Sequence, residues 1–374
     1  MKKKILFITG SRAEYGQFSH FLHKIHTSKK INFKLIVTGM HLYKKFGSTY
    51  KEILKDNIKI YKKIYINSNN DDNSTVPLSF ALAIKKFNNL FKKEKPDLVL
   101  LPCDRYEILA AGMACFFNNI PVIHFYGGDT SLGSQDEFYR TSISNIAKYH
   151  FVSHKEAKKK LMQKNDILSK FIFNFGAISL DQIKNIKLIS KKLIEKKIGI
   201  DLNHKTILFT YHPITTNQKL TIKEIDTTLK SLKKLKGINI IFTSPNNDKG
   251  HDYIIKKIKE FCKKDTRKFK FFNSLGRQLY FSVIKHCKIV CGNSSSLLYE
   301  IPYFKKYSLN IGERQKNRVS SNTVINVKPI LKNIDSSFHK YLKIKEPTNV
   351  INPFYVVNST EKILKTVYKI INRI

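Results

Sequence analysis

The chain has 374 residues, more than one hydrophobic core usually organises, so two domains are the expectation. At 42% hydrophobic and 26% charged, with 26 Phe and 18 Tyr, it is not a disordered chain. The formal charge of +40 rests on lysines scattered along the whole chain, with few arginines among the 68 basic residues; that argues against a duplex reader built on clustered bidentate arginines, while the field still favours an anionic substrate such as a nucleotide.

"MKKKILFITG" opens with a basic run and a short apolar segment. The segment is too short for a signal peptide, and "SRAEYG" is charged where a small-residue cleavage site would stand, so Ile5–Thr9 is expected to be a buried first strand. Further strands are expected at Phe33–Thr38, Leu98–Pro102, Pro121–His124, His150–Val152 and Phe171–Asn174. Helices are expected between them, at Tyr15–Thr27, Ser79–Phe91, Arg105–Asn118 and Gln135–Ala147. This alternation predicts βαβ units and a parallel sheet.

The rhythm then restarts. Strands are expected at Thr206–Thr210, Asn239–Thr243, Phe269–Phe272, Ile289–Cys291, Tyr307–Asn310 and Thr323–Val327, with helices at Ile222–Leu235, Tyr253–Lys264, Arg277–His286 and Ser296–Tyr303. The boundary is expected between Gly176 and Lys205. "NSTEKILKTVYKIINRI" reads as a C-terminal helix, with Asn358 as N-cap and Glu361 at capping-box spacing. No segment approaches the length of a membrane span. The organisation is an α/β chain of two doubly wound, Rossmann-like domains, residues 1–180 and 181–355, followed by a helix at 356–374, with a cleft between the domains. Ligands of such sheets bind beyond the carboxyl ends of the strands, so chemistry is sought there.

The first strand ends in "TGSRAEYG", where Arg12 beside a helix start suits a phosphate, or is a solvated residue of a plain βα turn. "VTGMHL" places His41 at the next strand end, as a structural or a functional residue. "LVLLPCDRYEILAAGMA" brings Asp104, Arg105 and Glu107 directly after an apolar run; Asp104 is a candidate acid or base, and Arg105 with Glu107 is a binding residue or a local ion pair. "VIHFYGGDTSLGSQDEFYRTSIS" adds Asp129 after a double glycine, then Asp136 as a cap, then Glu137 and Arg140 at i,i+3 spacing. Asp104, Asp129 and Glu137 on successive loops exceed what caps require, and crowded carboxylates raise one another's pKa, which suits proton transfer.

In the second half "ILFTYHPITT" ends a strand in His212, and "IFTSPNNDKG" ends another in Ser244, Asn246, Asn247 and Asp248. "VCGNSSSLLYEIP" presents Ser294, Ser295 and Ser296 at a helix start, either as an ordinary cap or as a phosphate grip, with Glu300 one turn on to accept from vicinal hydroxyls such as those of a ribose. "LNIGERQKNR" brings Arg314 and Arg318, either of which suits a diphosphate. Cys103, Cys115, Cys262, Cys287 and Cys291 show no disulfide-like or zinc-like spacing and are expected to be reduced residues of a cytoplasmic protein. No GxGxxG fingerprint or Walker lysine is present, so no cofactor motif is read here.

Taken together and in order, "GSRAEYG", "VTGMH", "DRYE", "HFYGGD…DEFYR", "YHP", "GNSSS…E.P" and "NIGERQKNR" resemble the hydrolysing UDP-N-acetylglucosamine 2-epimerases of bacterial sialic and related nonulosonic acid synthesis. The resemblance covers nearly the whole chain. It implies a GT-B fold and a reaction without metal or NAD: loss of the C2 proton and of UDP, giving a 2-acetamidoglucal, then hydration to N-acetylmannosamine. It implies Asp104, Asp129, Glu137 and His212 as the active-site residues. Arg12, Ser294, Ser295 and Glu300 fall on the family's nucleotide-binding positions, and His41, Arg105, Arg140, Asn246, Ser296 and Arg314 are further binding candidates. It implies a nucleotide-sugar substrate and a homodimer or homotetramer, and no nucleic-acid partner.

One departure stands out: the family pattern has Glu after the double glycine, and this chain has Asp129, one methylene shorter. That opens the identity of the sugar. The main expectation is UDP-N-acetylglucosamine. The alternative is a UDP- or GDP-linked 2,4-diacetamido-2,4,6-trideoxy sugar of the legionaminic acid route. A non-hydrolysing 2-epimerase would show "GTRPE" in place of "GSRAEYG". A GT-B glycosyltransferase would not need the clustered carboxylates, and a basic nucleic-acid-binding protein would not need polar strand ends.

Overall fold

A computed structural model describes residues 2–66, 76–130, 135–164, 166–246, 248 and 250–374. Asn247, named above, lies outside the described residues. The chain forms two compact units: the first is built from residues up to Thr130, from Asp136–Gln182 and from Val356–Ile374, and the second principally from Ile183–Tyr355.

The first unit holds strands β1 (Lys4–Thr9), β2 (Asn32–Thr38), β3 (Ile60–Ile64), β4 (Leu98–Pro102), β5 (Val122–Phe125), β6 (Tyr149–Val152) and β7 (Ile172–Asn174). All pair in parallel, in the order β3-β2-β1-β4-β5-β6-β7. Its helices are α1 (Arg12–His26), α2 (Tyr50–Lys55), α3 (Val76–Glu94), α4 (Tyr106–Phe117), α5 (Asp136–Ile146), α6 (Lys155–Met162) and α7 (Ser179–Asn185), the last crossing into the second unit. β1 is a continuous apolar run because both of its faces are covered. Ile5 and Phe7 pack with Phe18 and Phe21 of α1, while Leu6 and Ile8 pack with Phe87 of α3 and Ile108 of α4.

The second unit holds β8 (Thr206–Thr210), β9 (Asn239–Thr243), β10 (Phe269–Phe272), β11 (Ile289–Gly292), β12 (Ser308–Ile311) and β13 (Val324–Val327), all parallel, in the order β10-β9-β8-β11-β12-β13. Its helices are α8 (Lys191–Ile198), α9 (Gln218–Leu232), α10 (His251–Cys262), α11 (Gly276–His286), α12 (Ser296–Tyr299) and α13 (Leu331–Lys343). Ile207 and Phe209 of β8 pack with Ile225, Ile254 and Phe338 from three of these helices. Each sheet therefore reverses its strand order once, between β1 and β4 and between β8 and β11. Those switch points are where doubly wound sheets bind ligands.

Two local expectations are corrected. The helix expected over Ser296–Tyr303 ends at Tyr299 and gives way to a 3-10 turn at Ile301–Phe304. Pro302 has no N–H to donate and disfavours helical backbone at the residue before it. The closing helix α14 (Ser359–Ile371) lacks the expected capping box: Asn358 is left-handed at φ 55° and its side chain makes no cap bond. The cap comes instead from Asp181, whose Oδ2 accepts from Thr360 N at 2.6 Å, while Glu361 pairs with Lys24 of α1. Ile363, Leu364 and Val367 join the core of the first unit. All five cysteines are free. No helix of the described residues is long and apolar enough to cross a membrane.

Candidate functional site

In the first unit the turn after β4 bends sharply, with Cys103 at φ 58°. His124 of β5 fixes that turn: its Nε2 donates to the Cys103 carbonyl at 2.7 Å and its Nδ1 meets the Ser144 hydroxyl of α5 at 3.0 Å. Burial pushes this imidazole down to about 4, so it acts as a neutral brace. The turn delivers Asp104 to Arg140 of α5. The Arg140 guanidinium is 4% exposed and donates to Asp104, to Glu137 Oε2 at 2.9 Å and to the Asp129 carbonyl at 3.0 Å. From α6, Lys160 donates to Glu137 Oε1 at 2.7 Å and to Thr130 Oγ1 at 3.2 Å.

The acids and cations therefore alternate, Asp104–Arg140–Glu137–Lys160. This corrects the expectation of carboxylates crowding one another. Arg140 does pair with Glu137 at i,i+3, but as a buried hub and not on a surface. Asp104 and Glu137 keep about a quarter of their side chains exposed, at 23% and 25%, while the cation between them is buried. Accessible carboxylates held by a fixed charge are suited to taking and delivering protons. Asp129 sits deeper. Its Oδ1 accepts from the Ser153 hydroxyl at 2.7 Å and lies 2.9 Å from His154 Nε2. The double glycine before it is required by close packing: Gly128 has φ +80°, and a Cβ there would stand 2.4 Å from the Ala157 carbonyl oxygen.

A second group of polar residues surrounds the start of α1. Ser11 and Glu14 form a capping box at the start of α1, with Glu14 Oε2 accepting from Gly10 N at 2.7 Å and Ser11 N at 3.1 Å. The box starts α1 three residues earlier than expected. Burial, and then the neighbouring Glu107, push the Glu14 carboxyl up to about 8. Arg105 takes the ion-pair alternative, its Nε donating to Glu107 Oε1 at 2.6 Å. His41 is fully buried between the hydroxyls of Thr9, at 3.1 Å, and Thr49, at 2.8 Å, so its ring is a structural brace and leaves no nitrogen for a ligand. Burial, and then Arg105, lower it to about 3. Arg12 lies exposed in the first turn of α1, paired with Glu52 at 3.2 Å.

In the second unit the ends of β8 and β11 are tied together. Asn293 Oδ1 accepts from His212 N at 2.6 Å and its Nδ2 donates to the His212 carbonyl at 2.9 Å. Gly292 is obligatory, since a Cβ there would lie 1.8 Å from the Thr210 carbonyl oxygen. Asn246 contributes its backbone N–H, which donates to His212 Nδ1 at 2.9 Å. His212 Nδ1 is thus an acceptor and the ring's proton is on Nε2. Burial, and then Arg314, push this imidazole well below its ordinary value, so it is a neutral donor. Arg314 Nη1 and Gln315 Nε2 donate to the Asn293 carbonyl at 3.1 and 2.9 Å. Ser294 Oγ accepts from Ser296 N at 3.3 Å, and the Ser296 hydroxyl meets the Tyr280 hydroxyl at 2.7 Å. Ser295 precedes α12 without a side-chain cap bond. Because α12 has only 4 residues, any grip here rests on individual amides and hydroxyls, not on a helix dipole. Glu300 is half-buried, and its burial raises it to about 7. Arg318 is occupied structurally, donating to Gln315 Oε1 at 2.9 Å and to the Tyr299 hydroxyl.

Sequence reading passed over Ser153, His154 and Lys160. The signal for the first two was present: "FVSH" is another apolar strand ending in polar residues, and the strand-end rule applies to it as to the others. Lys160 is one of many lysines and carries no local signal.

Residues 23–368 match the family model described as UDP-N-acetylglucosamine 2-epimerase. Among curated proteins, the GDP/UDP-N,N'-diacetylbacillosamine 2-epimerase (hydrolyzing) of Campylobacter jejuni is 40% identical over 92% of this chain and 88% of its own length. The UDP-N,N'-diacetylbacillosamine 2-epimerase (hydrolyzing) of Legionella pneumophila is 32% identical over 87% of this chain and 85% of its own. Among solved structures, the UDP-GlcNAc 2-epimerase of Neisseria meningitidis, bound to UDP-GlcNAc, superposes with a TM-score of 0.83 at 20% identity, covering 98% of this chain and 100% of that one. That likeness places the two units in the GT-B class of folds.

Proposed function

Because the chain belongs to the UDP-N-acetylglucosamine 2-epimerase family, we propose that it is a hydrolysing 2-epimerase whose substrate is a UDP- or GDP-linked 2,4-diacetamido-2,4,6-trideoxy sugar of the diacetylbacillosamine type. The observation that carries the choice of sugar is the 40% identity, over 92% of this chain, to the Campylobacter jejuni enzyme named for GDP/UDP-N,N'-diacetylbacillosamine. The first expectation, UDP-N-acetylglucosamine, is the weaker reading beside it.

In this reading the C2–H bond breaks as a carboxylate of the first unit takes the proton. The C1–oxygen bond to the nucleoside diphosphate breaks in the same elimination, leaving a C1=C2 double bond. Water then adds its oxygen to C1, and a proton returns to C2 from the opposite face. The products are the free sugar of inverted C2 configuration and the nucleoside diphosphate, with one water consumed. Asp104, Glu137 and Asp129 supply the proton chemistry; the partial exposure of the first two supports that role. His212, neutral with its proton on Nε2, donates to the diphosphate, with Arg314 and the Ser294–Ser296 segment beside it. Glu300 accepts from the ribose hydroxyls.

The test is proton NMR of the purified protein in D2O with three substrates in parallel: UDP- and GDP-linked diacetylbacillosamine and UDP-N-acetylglucosamine. A free 2-epimerised sugar carrying deuterium at C2, formed fastest from a diacetamido substrate, is the expected result. Faster turnover of UDP-N-acetylglucosamine overturns the choice of sugar, and an intact epimerised nucleotide sugar overturns hydrolysis.

A further inference from the structure

His154 stands between two parts of the molecule that the proposed reaction needs in register. It is the N-cap of α6, and its Nδ1 accepts from the Ala157 amide at 3.0 Å. A nitrogen that accepts an N–H bond carries no proton, so the ring proton is on Nε2, 2.9 Å from Asp129 Oδ1. The ring is 7% exposed and Asp129 is 5% exposed, so water does not compete for the bond.

The other end of that bond is held by the same residue. The Ala157 carbonyl oxygen lies against Gly128, close enough that a Cβ would approach to 2.4 Å. Ala157 thus fixes the ring through its N–H and seats the backbone before Asp129 through its C=O. The backbone before Asp129 is thus packed against α6, and the His154 ring meets the short aspartate from the same helix end.

We propose that His154 is a positioning residue of the epimerase reaction, holding Asp129 Oδ1 in its reactive place by a proton that the α6 cap confines to Nε2. This rests on the function proposed above. The other groups around Asp129 are already committed. On α5, Arg140 bonds its carbonyl and Glu137. At the β4 end Asp104 pairs with Arg140, and Cys103 accepts from His124 of β5. Ser153 at the β6 end shares Oδ1, and Lys160 of α6 reaches Thr130 and Glu137. Among these described contacts His154 is the one that links Asp129 to a helix cap.

Two substitutions separate capping from positioning. In His154→Asn the side-chain oxygen takes the place of Nδ1 and keeps the α6 cap, but the imidazole donor to Asp129 is lost and the Ser153 hydroxyl remains on Oδ1. In His154→Gln the amide nitrogen takes the place of Nε2 and keeps the donor to Asp129, while the cap is lost. The expected results are opposite. His154→Asn keeps its melting temperature and loses kcat on the order of tenfold to a hundredfold, as a misplaced reacting group does. Its pH–rate limb moves to higher pH, because a carboxylate that loses a donor keeps its proton longer. His154→Gln melts earlier and recovers most of kcat. A wild-type kcat and unmoved limb in His154→Asn, or equal loss in both variants, overturns the proposal. Should the wild type turn over none of the three nucleotide sugars, the functional reading fails, and the tautomer is judged by nitrogen NMR of labelled histidine. A slowly exchanging His154 Nε2–H that shifts in Asp129→Asn supports the bond, and a protonated Nδ1 overturns it.

Discussion

The two units have the same sheet order around the switch point and hold the polar groups at their strand ends in different ways. The first unit pairs them. Asp104, Arg140, Glu137 and Lys160 alternate in sign, and the buried Arg140 donates to Asp104, to Glu137 and to the Asp129 carbonyl. In the second unit burial moves them toward the uncharged form: His212 is pushed well down, so its ring is neutral, while Glu300 is raised to about 7 and Glu224 to about 6. Removing a charge from water is costly, and a protein meets that cost with a partner or by discharging the group. Topology sets where a ligand binds, and the choice between pairing and neutralising sets what can be done to it. The first unit also holds uncharged groups: His41 and His124 are pushed down to about 3 and 4, and Glu14, beside the Arg105–Glu107 pair, is pushed up to about 8.

This contrast is sharpened most by separating chemistry from nucleotide binding. Asp104→Asn and Glu137→Gln are expected to lower kcat by roughly 10²- to 10⁴-fold, the range of a lost general acid or base, with inhibition by UDP unchanged. His212→Ala is expected to weaken UDP inhibition about tenfold or more, as for a lost hydrogen bond to a charged group. A reversal of the two patterns would break the division of labour. Next in size is the pairing itself. Arg140→Met leaves two acids without their shared cation and is expected to cost about 3–5 kcal/mol in urea unfolding. A loss below about 1 kcal/mol would place the acids in effective contact with water.

A smaller effect tests neutralisation within the first unit. The Glu14 carboxyl has its folded value raised from 4.5 to about 8, so the folded state holds a proton that the unfolded state releases. Its contribution to stability is complete below the unfolded value and is lost as pH rises through the folded one. Glu14→Gln mimics the protonated form and still accepts the Gly10 and Ser11 amides. Melting temperatures of the two proteins should agree near pH 4.5 and diverge toward pH 8, with the variant higher; parallel curves would sink the idea. The smallest effect is Gly16→Ala on α1, where a Cβ meets nothing within 4 Å. It should stabilise by about 0.5–1 kcal/mol in the same unfolding assay.

Apolar runs revealed twelve of the thirteen strands of the described residues, because a strand covered on both faces has no polar alternation to obscure it. β3 was missed for the converse reason: "IYKKI" lies at the sheet edge and carries lysines, as exposed edges do. α2, α6, α7, α8 and α13 were missed as well. Strand-end residues such as Asp104, Asp129, Glu137 and His212 were legible because a polar residue directly after a buried strand has few structural reasons to be there. Their partners were not, since Lys160 and His154 come to the acids only when α6 packs beside α5.

By itself the sequence determined the βαβ rhythm and the types of residue placed at the strand ends, because these depend on local pattern; the strand order, and with it the two switch points, came from the pairing of strands far apart in the chain. Only the tertiary structure decided which group each acid faces. It put a cation between Asp104 and Glu137, turned His41 into a brace, gave the cap of α14 to Asp181 and set the ring of His154 against Asp129. Charge state and tautomer depend on neighbours a few ångströms away in space and far away in sequence, and packing alone brings them together.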